Sequence, residues 1–259
     1  MAIQITTELI KELRDSTGIS VMQCKRALEE AEGDMKKALA ILKKTSSDIA
    51  LKKGDREVKD GSVCIKTNGE KAVMVSLHCE TDFVSRNEDF VNLLQKLADI
   101  AIADGIPKMK EGSKDFIDPV IQKTGENIQL GEVYEVLGEV LGTYVHNNKS
   151  GVIVSLVGGT PDLARDIAMH ITAMKPEYMS ESEISEDVKK TITEVFEKEV
   201  ATIDKPADIK KKMLEGKINT YFKEKTLPEQ LFIKNPEETV GKLLEKSGAK
   251  IKEVKRSSI

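Results

Sequence analysis

The sequence AVMVSLHC at residues 72–79 is followed almost at once by TDFVSRN at residues 81–87. The first stretch is rich in branched and apolar residues and follows the turn signal Asn68-Gly69, so it predicts a β-strand. Apolar residues then recur at helical spacing over residues 90–101, which predicts a helix. The fold is therefore expected to contain a strand, a short turn and a helix in direct succession.

The start of this helix decides where the turn lies. Ser85 and Glu88 have the spacing of a capping box, which predicts that the helix begins close to Arg86. Asp82 and Phe83 then lie in the turn between strand and helix. Such a turn can present a carboxylate and an aromatic ring to a partner while two regular elements hold it still.

An internal repeat bears on the function of this turn. The sequence VMVSL at residues 73–77 returns as VIVSL at residues 152–156, which predicts two similar units of β-hairpin and helix. Asp82 could cap a backbone amide and Phe83 could pack beneath the turn. The second copy has Asp162 at the position of Phe83, so the shared scaffold does not need a ring there. A functional Phe83 is therefore favoured over a structural one.

The whole chain of 259 residues is expected to form an α+β protein of several parts. Residues 180–228 carry sparse apolar stripes on either side of Lys205-Pro206, which favours an antiparallel helical hairpin. This hairpin could serve for docking or dimerisation, or be a surface insertion. A last strand over residues 249–254 is expected to join the sheet of the second unit. The predicted parts are a three-helix module over 1–44, a linker over 45–61, a first core subdomain over 62–135, a second core subdomain over 136–179 and 229–259, and the hairpin over 180–228.

Composition limits the classes of function. Charged residues make up 32% of the chain and the net charge is −4, which argues against a dedicated nucleic-acid binder. Cys24, Cys64 and Cys79 have no metal-binding spacing and favour a reducing compartment. No apolar run approaches the roughly 20 residues of a membrane span. A cytoplasmic protein without a membrane segment is expected.

The sequence also lacks the motifs of common enzymes and nucleotide-binding proteins, such as the GxxxxGK[ST] loop and HExxH. His78 and Cys79 are neighbours, but neighbours in a strand point to opposite faces, which disfavours their acting as base and nucleophile. His170, on an apolar helix face, is either a satisfied buried histidine or an exposed contact. No catalytic residue, cofactor or metal is expected.

Two apolar residues in the N-terminal module have an open assignment. Val21 and Met22 fall in the first turn of the middle helix, where Ser20 and Gln23 have capping-box spacing. They belong either to the core of the module or to an exposed edge that binds a partner.

With these residues identified, the chain resembles the bacterial translation elongation factor Ts family over nearly its whole length. Each matching segment is a weak signal, but their shared order along the chain is specific. The matching segments are residues 9–14, 17–18, 24–28, 81–84, 125–128, 167–170, 175–176 and 239–244.

The resemblance implies a ubiquitin-associated-like helical module, two related core subdomains and a coiled-coil insertion. It also implies a guanine-nucleotide exchange factor for elongation factor Tu, which acts by contact and has no covalent chemistry of its own. The residues implied to bind the partner are Thr81, Asp82, Phe83 and Val84 near its Mg²⁺ and phosphate site, Val21 and Met22 on the helical module, and His170 on the second subdomain. A homodimer or a two-to-two complex with the partner is left open.

The competing class is an adaptor that binds a peptide or a ubiquitin-like partner through its helical module and leaves nucleotide unaffected. An adaptor would need Val21 and Met22 exposed but would leave Asp82 and Phe83 unexplained. An enzyme with Cys79 as nucleophile ranks third.

Overall fold

The computed structural model of the protein describes residues 5–259, so the first four residues of the predicted helical module lie outside it. The chain divides into two compact units. The first contains the residues up to Glu135 together with Val145–Gly151 and Ser257–Ile259. The second contains Val136–Tyr144 and Val152–Arg256.

The mixture of helices and small sheets confirms the predicted α+β class. The helices are α1 (Thr7–Thr17), α2 (Val21–Glu30), α3 (Met35–Lys53), α4 (Asp82–Ser85), α5 (Glu88–Asp104), α6 (Ile106–Thr124), α7 (Pro161–Met174), α8 (Glu186–Ala201), α9 (Ala207–Lys225) and α10 (Val240–Lys246). The strands are β1 (Asp60–Thr67), β2 (Lys71–Cys79), β3 (Ile128–Leu137), β4 (Val140–His146), β5 (Ser150–Val157), β6 (Leu231–Phe232), β7 (Asn235–Thr239) and β8 (Lys250–Ser258). They form sheets of order β1-β2-β3, β4-β5-β8 and β6-β7.

The three N-terminal helices begin and end where local chemistry favours it. The hydroxyl of Ser20 accepts a hydrogen bond from the backbone of Gln23 and begins α2. The Asp34 carboxylate does the same for α3, accepting from two backbone amides. Gly18 ends α1 with a φ of 67°, a left-handed conformation that costs glycine little. Leu13 and Leu28 are fully buried between these helices.

Helix α3 continues to Lys53, so the linker predicted over residues 45–61, for which some helix was allowed at the start, is helical as far as residue 53. Ser47 donates a hydrogen bond to Asp118 of α6 at 2.7 Å, and Ile49 packs against the core that α5 and α6 share. The charged composition of this stretch suggested a flexible connector. Asp48 and Lys52 are nevertheless exposed residues of α3, and the charged residues among 55–59 follow the end of the helix. The N-terminal helices and the first sheet thus lie in one compact unit.

The strand predicted over residues 72–79 is β2, which pairs with β1 in antiparallel register with Cys64 opposite Val75. Six of its residues in succession are buried, and the alternate residues Val73, Val75 and Leu77 pack in the core that the hairpin shares with α5. Phe90 and Leu97 of α5 are fully buried against it. The hairpin and α5 are the frame that carries α4.

Helix α5 begins at Glu88, two residues after Arg86, which agrees with the predicted start close to Arg86. Asn87 is its N-cap, and the Asn87 side-chain oxygen accepts from the backbone of Asp89 at 2.9 Å. Ser85, the cap expected from its spacing, is the last residue of α4. Both Ser85 and Asn87 have side chains that can cap a helix, and Asn87 is the one that caps α5.

The second unit repeats the arrangement of hairpin and helix. Val152 and Val154 of β5 are buried against Ile167 and Ile171 of α7. The Thr160 hydroxyl accepts from the backbone of α7 and begins the helix. Strand β8 lies beside β5, which confirms that the last strand joins the second sheet.

Helices α8 and α9 lie side by side. Contacts join Ala201 to Lys210, Glu199 to Lys217, and Phe196 to Tyr221, so the two helices run in opposite directions. The Phe196 and Tyr221 rings meet edge to face at 5.9 Å between centroids. An antiparallel pair was predicted for this region, and its description as a coiled coil stays a prediction.

Candidate functional site

The central sequence stretch forms one helical turn, α4, between β2 and α5. Thr81 precedes it in extended conformation, with φ −134° and ψ 160°. The backbone amides of Ser85 and Arg86 then donate to the carbonyls of Thr81 and Asp82, each at 3.2 Å. Asp82 and Phe83 thus lie between strand and helix as expected, in the first half of a short helix.

The turn has one residue in solvent, followed by two buried residues. The Phe83 side chain is 83% exposed, whereas Val84 is 8% exposed and Ser85 is buried. The interpretation that Phe83 packs beneath the turn is therefore wrong. Leaving an aromatic ring in water forgoes about 1.5–3 kcal/mol that its burial would contribute. That contribution is available to a partner able to enclose the ring.

The carboxylate of Asp82, the residue before Phe83, is held loosely. An oxygen of Asp82 is 3.1 Å from a guanidinium nitrogen of Arg86, and both side chains are about half exposed or more. Exposed ion pairs of this kind contribute at most about 1 kcal/mol. Asp82 can therefore exchange Arg86 for another partner at little cost.

Glu126 fixes the N-terminal end of α4. One oxygen of its carboxylate accepts from the backbone amides of Glu80 and Thr81 at 3.1 and 3.0 Å. The other accepts from the Thr81 hydroxyl at 2.6 Å. Whereas Thr160 uses its hydroxyl to cap its own helix, Thr81 directs its hydroxyl to a residue 45 positions away. Thr81, predicted as a partner contact, thus serves first to hold the turn.

Asn127 ties this region to the end of α3. Its backbone amide donates to the Glu80 carboxylate at 2.6 Å, and its side-chain amide donates to the carbonyls of Arg56 and Gly54 at 2.7 and 3.3 Å. Asn127 is 2% exposed, so these bonds are sheltered from water. Residues 125–128 were among the segments that carry the family resemblance, but no function was predicted for them. The neighbouring sequence does not show which distant segments they join.

Lys149 holds the other end of α4. Its ammonium donates to the Asp60 carboxylate at 2.5 Å, to the Gly61 carbonyl at 2.6 Å and to the Ser85 hydroxyl at 3.2 Å. The Ser85 hydroxyl in turn donates to the Asp82 carbonyl at 3.2 Å. Burial raises the pKa of the Asp60 carboxyl, but the hydrogen bonds from the Lys149 ammonium and the Gly61 backbone amide outweigh it and hold that pKa below its usual value. Nothing in the sequence around Lys149 indicated this contact.

Cys79, the candidate nucleophile, lies behind α4. It is fully buried, and its thiol donates to the Thr81 carbonyl at 3.2 Å. Burial, with the nearby carboxylates of Asp60 and Glu126, raises the pKa of this thiol to about 12. Because only the thiolate is a competent nucleophile, the structure argues against a catalytic Cys79.

Val21 and Met22 are exposed, which decides between the two interpretations of these residues. Their exposed fractions are 50% and 61%, in the first turn of α2. The buried side of the helix is formed by Cys24, Ala27 and Leu28. Val21 and Met22 are therefore available to a partner.

His170 does not fit the partner contact predicted for it. Its side chain is fully buried beside Phe232. One ring nitrogen is 3.0 Å from the Gln230 side-chain oxygen, and the other accepts from the backbone amide of Ile233 at 3.3 Å. Burial, against the hydrogen bond to Gln230, lowers the pKa of this imidazole and keeps the ring neutral. The structure supports the alternative of a satisfied buried histidine, which orders the segment around Ile233.

Within residues 5–259, no three His, Cys, Asp or Glu side chains are grouped so that they could hold a metal ion. No helix in the same range is long and apolar enough to cross a membrane. The prominent features are instead an exposed ring and carboxylate on a held turn, and an exposed apolar pair on α2. This arrangement is typical of a protein that acts by contact with another protein.

Comparison with known proteins identifies the family. Residues 80–259 match the family described as elongation factor TS. Elongation factor Ts of Hahella chejuensis is 39% identical over 254 residues, which cover 95% of this chain and 89% of the relative. Those of Pseudomonas fluorescens and Alcanivorax borkumensis are 38% and 37% identical, covering 95% and 96% of this chain and 88% and 92% of the relatives.

The chain belongs to the elongation factor Ts family. This confirms the resemblance seen in the sequence segments. It places the chain among the exchange factors of translation elongation.

Proposed function

We propose that this chain promotes the release of GDP from elongation factor Tu by inserting the α4 turn into the nucleotide-binding domain of that partner. Family membership supports the partner and the type of activity. The observation that carries the mechanism is the 83% exposed ring of Phe83 on a turn whose other side is buried and hydrogen bonded.

The proposed mechanism is indirect. In nucleotide-binding proteins of this kind, a Mg²⁺ ion and the phosphate-binding backbone jointly bind the nucleotide. The Phe83 ring would enter between side chains of the partner, while the Asp82 carboxylate would lie where the nearby Mg²⁺ and phosphate structure is disturbed. Val84 is buried in the core of the first unit and would hold the turn that carries the ring. No covalent step is involved.

The energy for this displacement comes from binding. Enclosing the Phe83 ring would contribute up to about 3 kcal/mol, which corresponds to roughly a hundredfold change in an equilibrium constant. Coupling between two ligands of one protein is reciprocal, so GDP must weaken the binding of this chain by the factor with which the chain weakens GDP. Free exchange factor is thereby released when nucleotide rebinds.

Val21 and Met22 are proposed as a second contact with the same partner domain. They lie in the same compact unit as α4, so both contacts would be presented by one body. Two apolar patches on one unit bind with less loss of freedom than two patches on separate units. We propose that this second contact contributes affinity, while α4 acts on the nucleotide site.

The test is stopped-flow release of a fluorescent GDP analogue from elongation factor Tu with the wild-type chain, Phe83→Ala and Asp82→Ala. Leu51→Ala is the matched control, because Leu51 is also a highly exposed apolar residue, 77%, of the same unit but far along the chain from α4. We expect wild type and Leu51→Ala to accelerate release equally, and Phe83→Ala to lower the accelerated rate by at least about tenfold.

A well-folded wild type that leaves GDP release unchanged would refute the proposed activity. Acceleration that is equal for wild type and Phe83→Ala would refute the mechanism through α4. The adaptor interpretation predicts a further pattern, in which Met22→Asp abolishes binding and no variant affects nucleotide. A cytoplasmic location is part of the proposal. So is an assembly that is either a homodimer or a two-to-two complex with the partner, and sedimentation velocity of the purified complex measures its mass.

A further inference from the structure

The turn between β4 and β5 has an unusual backbone that fixes the direction of Lys149. Asn147 and Asn148 have φ values of 50° and 58°, and the Lys149 amide donates to the His146 carbonyl at 2.9 Å. Two successive residues with positive φ define the tight type I′ turn of β-hairpins, and asparagine tolerates this conformation better than most residues. The backbone of Lys149 is therefore held within a tight turn.

This turn is attached to its surroundings on both sides. The Val63 amide of β1 donates to the Asn148 carbonyl at 2.8 Å, and the Ile259 amide donates to the Lys149 carbonyl at 2.9 Å. All of these residues belong to the first compact unit. The base of the Lys149 side chain thus has a fixed position relative to β1.

The ammonium of Lys149 uses all three of its donors within this unit. Its acceptors are the Asp60 carboxylate and Gly61 carbonyl at the start of β1, and the Ser85 hydroxyl at the end of α4. Ser85 is 3% exposed, and its hydroxyl, which accepts from Lys149, donates to the Asp82 carbonyl. Two hydrogen bonds therefore connect Lys149 to the backbone of the residue next to Phe83.

Helix α4 needs such attachments because it is too short to be stable alone. A single turn of four residues fixes many dihedral angles for few hydrogen bonds. Its conformation must therefore come from tertiary contacts. Val84 packs in the core, and Glu126 holds the start of the helix. Lys149 and the Ser62 hydroxyl hold its last residue, Ser85. Lys149 makes its contact through the Ser85 side-chain hydroxyl.

We infer that Lys149 is a positioning residue for nucleotide exchange, which holds α4 in the one conformation that presents Phe83 and Asp82 to the partner. The inference rests on the proposed function. When a competent conformation is only partly populated, the observed activity falls by that fraction. Loss of the ammonium is expected to lower the maximal exchange rate more than it weakens binding through the rest of the surface.

The structural arm of the test is hydrogen–deuterium exchange of the amides of residues 82–87 in Lys149→Met and Asp60→Asn. Lys66→Met is the matched control, because the ammonium of Lys66, on β1, pairs with Asp99 at 2.9 Å and its side chain is about as sheltered as that of Lys149. We expect exchange at least about fivefold faster in both test variants, and unchanged in the control. Lys149→Arg keeps a positive donor and is expected to restore much of the protection.

The functional arm measures the maximal rate of GDP-analogue release and the half-saturating concentration for each variant. Lys149→Met is expected to lower the maximal rate by about fivefold to tenfold and to change half-saturation by less than about twofold. In the Phe83→Ala background, Lys149→Met should have less than about a twofold effect, because a residue acting through α4 loses its influence when the ring is gone.

The two arms separate the possible failures. Unchanged amide exchange in 82–87 overturns the inference whether or not the chain promotes nucleotide release. Effects of Lys149→Met and Phe83→Ala that multiply also overturn it, because they show that Lys149 acts elsewhere. Faster amide exchange with no nucleotide release by wild type would refute the proposed function and with it the role in exchange, leaving only a structural contact.

Discussion

Removal of the Glu126 carboxylate provides a stringent test of how the turn is held. In wild type, one side chain accepts three hydrogen bonds, from two backbone amides and one hydroxyl. A hydrogen bond to a charged group is worth about 1.5–3 kcal/mol when sheltered. Glu126 is partly exposed, so water will replace part of this in Glu126→Ala, and we expect a loss of about 2–4 kcal/mol in the free energy of unfolding.

Because the chain has two compact units, the measurement must report the first one alone. Native-state hydrogen exchange of the buried β2 amides in increasing urea does so. Glu126→Gln, which keeps one acceptor oxygen, should lose only about 1–2 kcal/mol.

The matched control is Glu135→Ala. Glu135 forms a longer contact of 3.6 Å with Lys71, and its loss should cost less than about 0.5 kcal/mol. The reasoning is refuted if Glu126→Ala changes the stability of β2 no more than Glu135→Ala does.

Two other substitutions probe the core and the buried imidazole. Phe90 is fully buried, so Phe90→Ala should lower the free energy of unfolding by about 3–5 kcal/mol. Phe83 is exposed, so Phe83→Ala should lower it by less than about 0.5 kcal/mol. Similar losses for the two variants in urea unfolding would contradict the assigned burial. Burial lowers the pKa of His170, so the unfolded chain takes up the proton first as the pH falls below the ordinary value of 6.5, and stability should decrease there. His170→Gln should reduce this dependence of stability on pH, which thermal unfolding between neutral and mildly acidic pH measures. A dependence equal to that of wild type would argue against a neutral buried ring.

Local sequence signals were sufficient for most elements of the fold. The branched run of β2, the apolar period of α5 and the glycine and proline positions mark features that depend on a few neighbouring residues. The family also followed from ordered short segments. Even the exposure of Phe83 could be inferred, because the second copy of the repeat dispenses with a ring at the matching position.

Features that depend on distant contacts were not predictable in this way. The stretch after Lys44 looked like a linker because its polar residues dominate, yet Ile49 and Ala50 pack against the core that α5 and α6 share. The apolar helix face allowed a buried His170 and the resemblance implied a partner contact, but the residues that enclose it, Gln230 and Phe232, lie about 60 positions later. Glu126 and Lys149 hold α4 across separations of 45 and 64 residues, and no periodicity or capping rule reaches so far.

The attachment of α4 to Lys149 also has a consequence for the order in which the chain is made. A growing polypeptide has the residues of β1, β2, α4 and α5 well before position 149 is added. Domains fold as their sequence emerges from the ribosome, but a contact cannot form before both of its ends exist. The turn that carries Phe83 therefore acquires its last attachment late in synthesis, after the frame around it is complete. Under the proposed role of Lys149, an incomplete chain that ends before this lysine would carry Phe83 on a looser turn and would bind the partner less tightly than the finished chain.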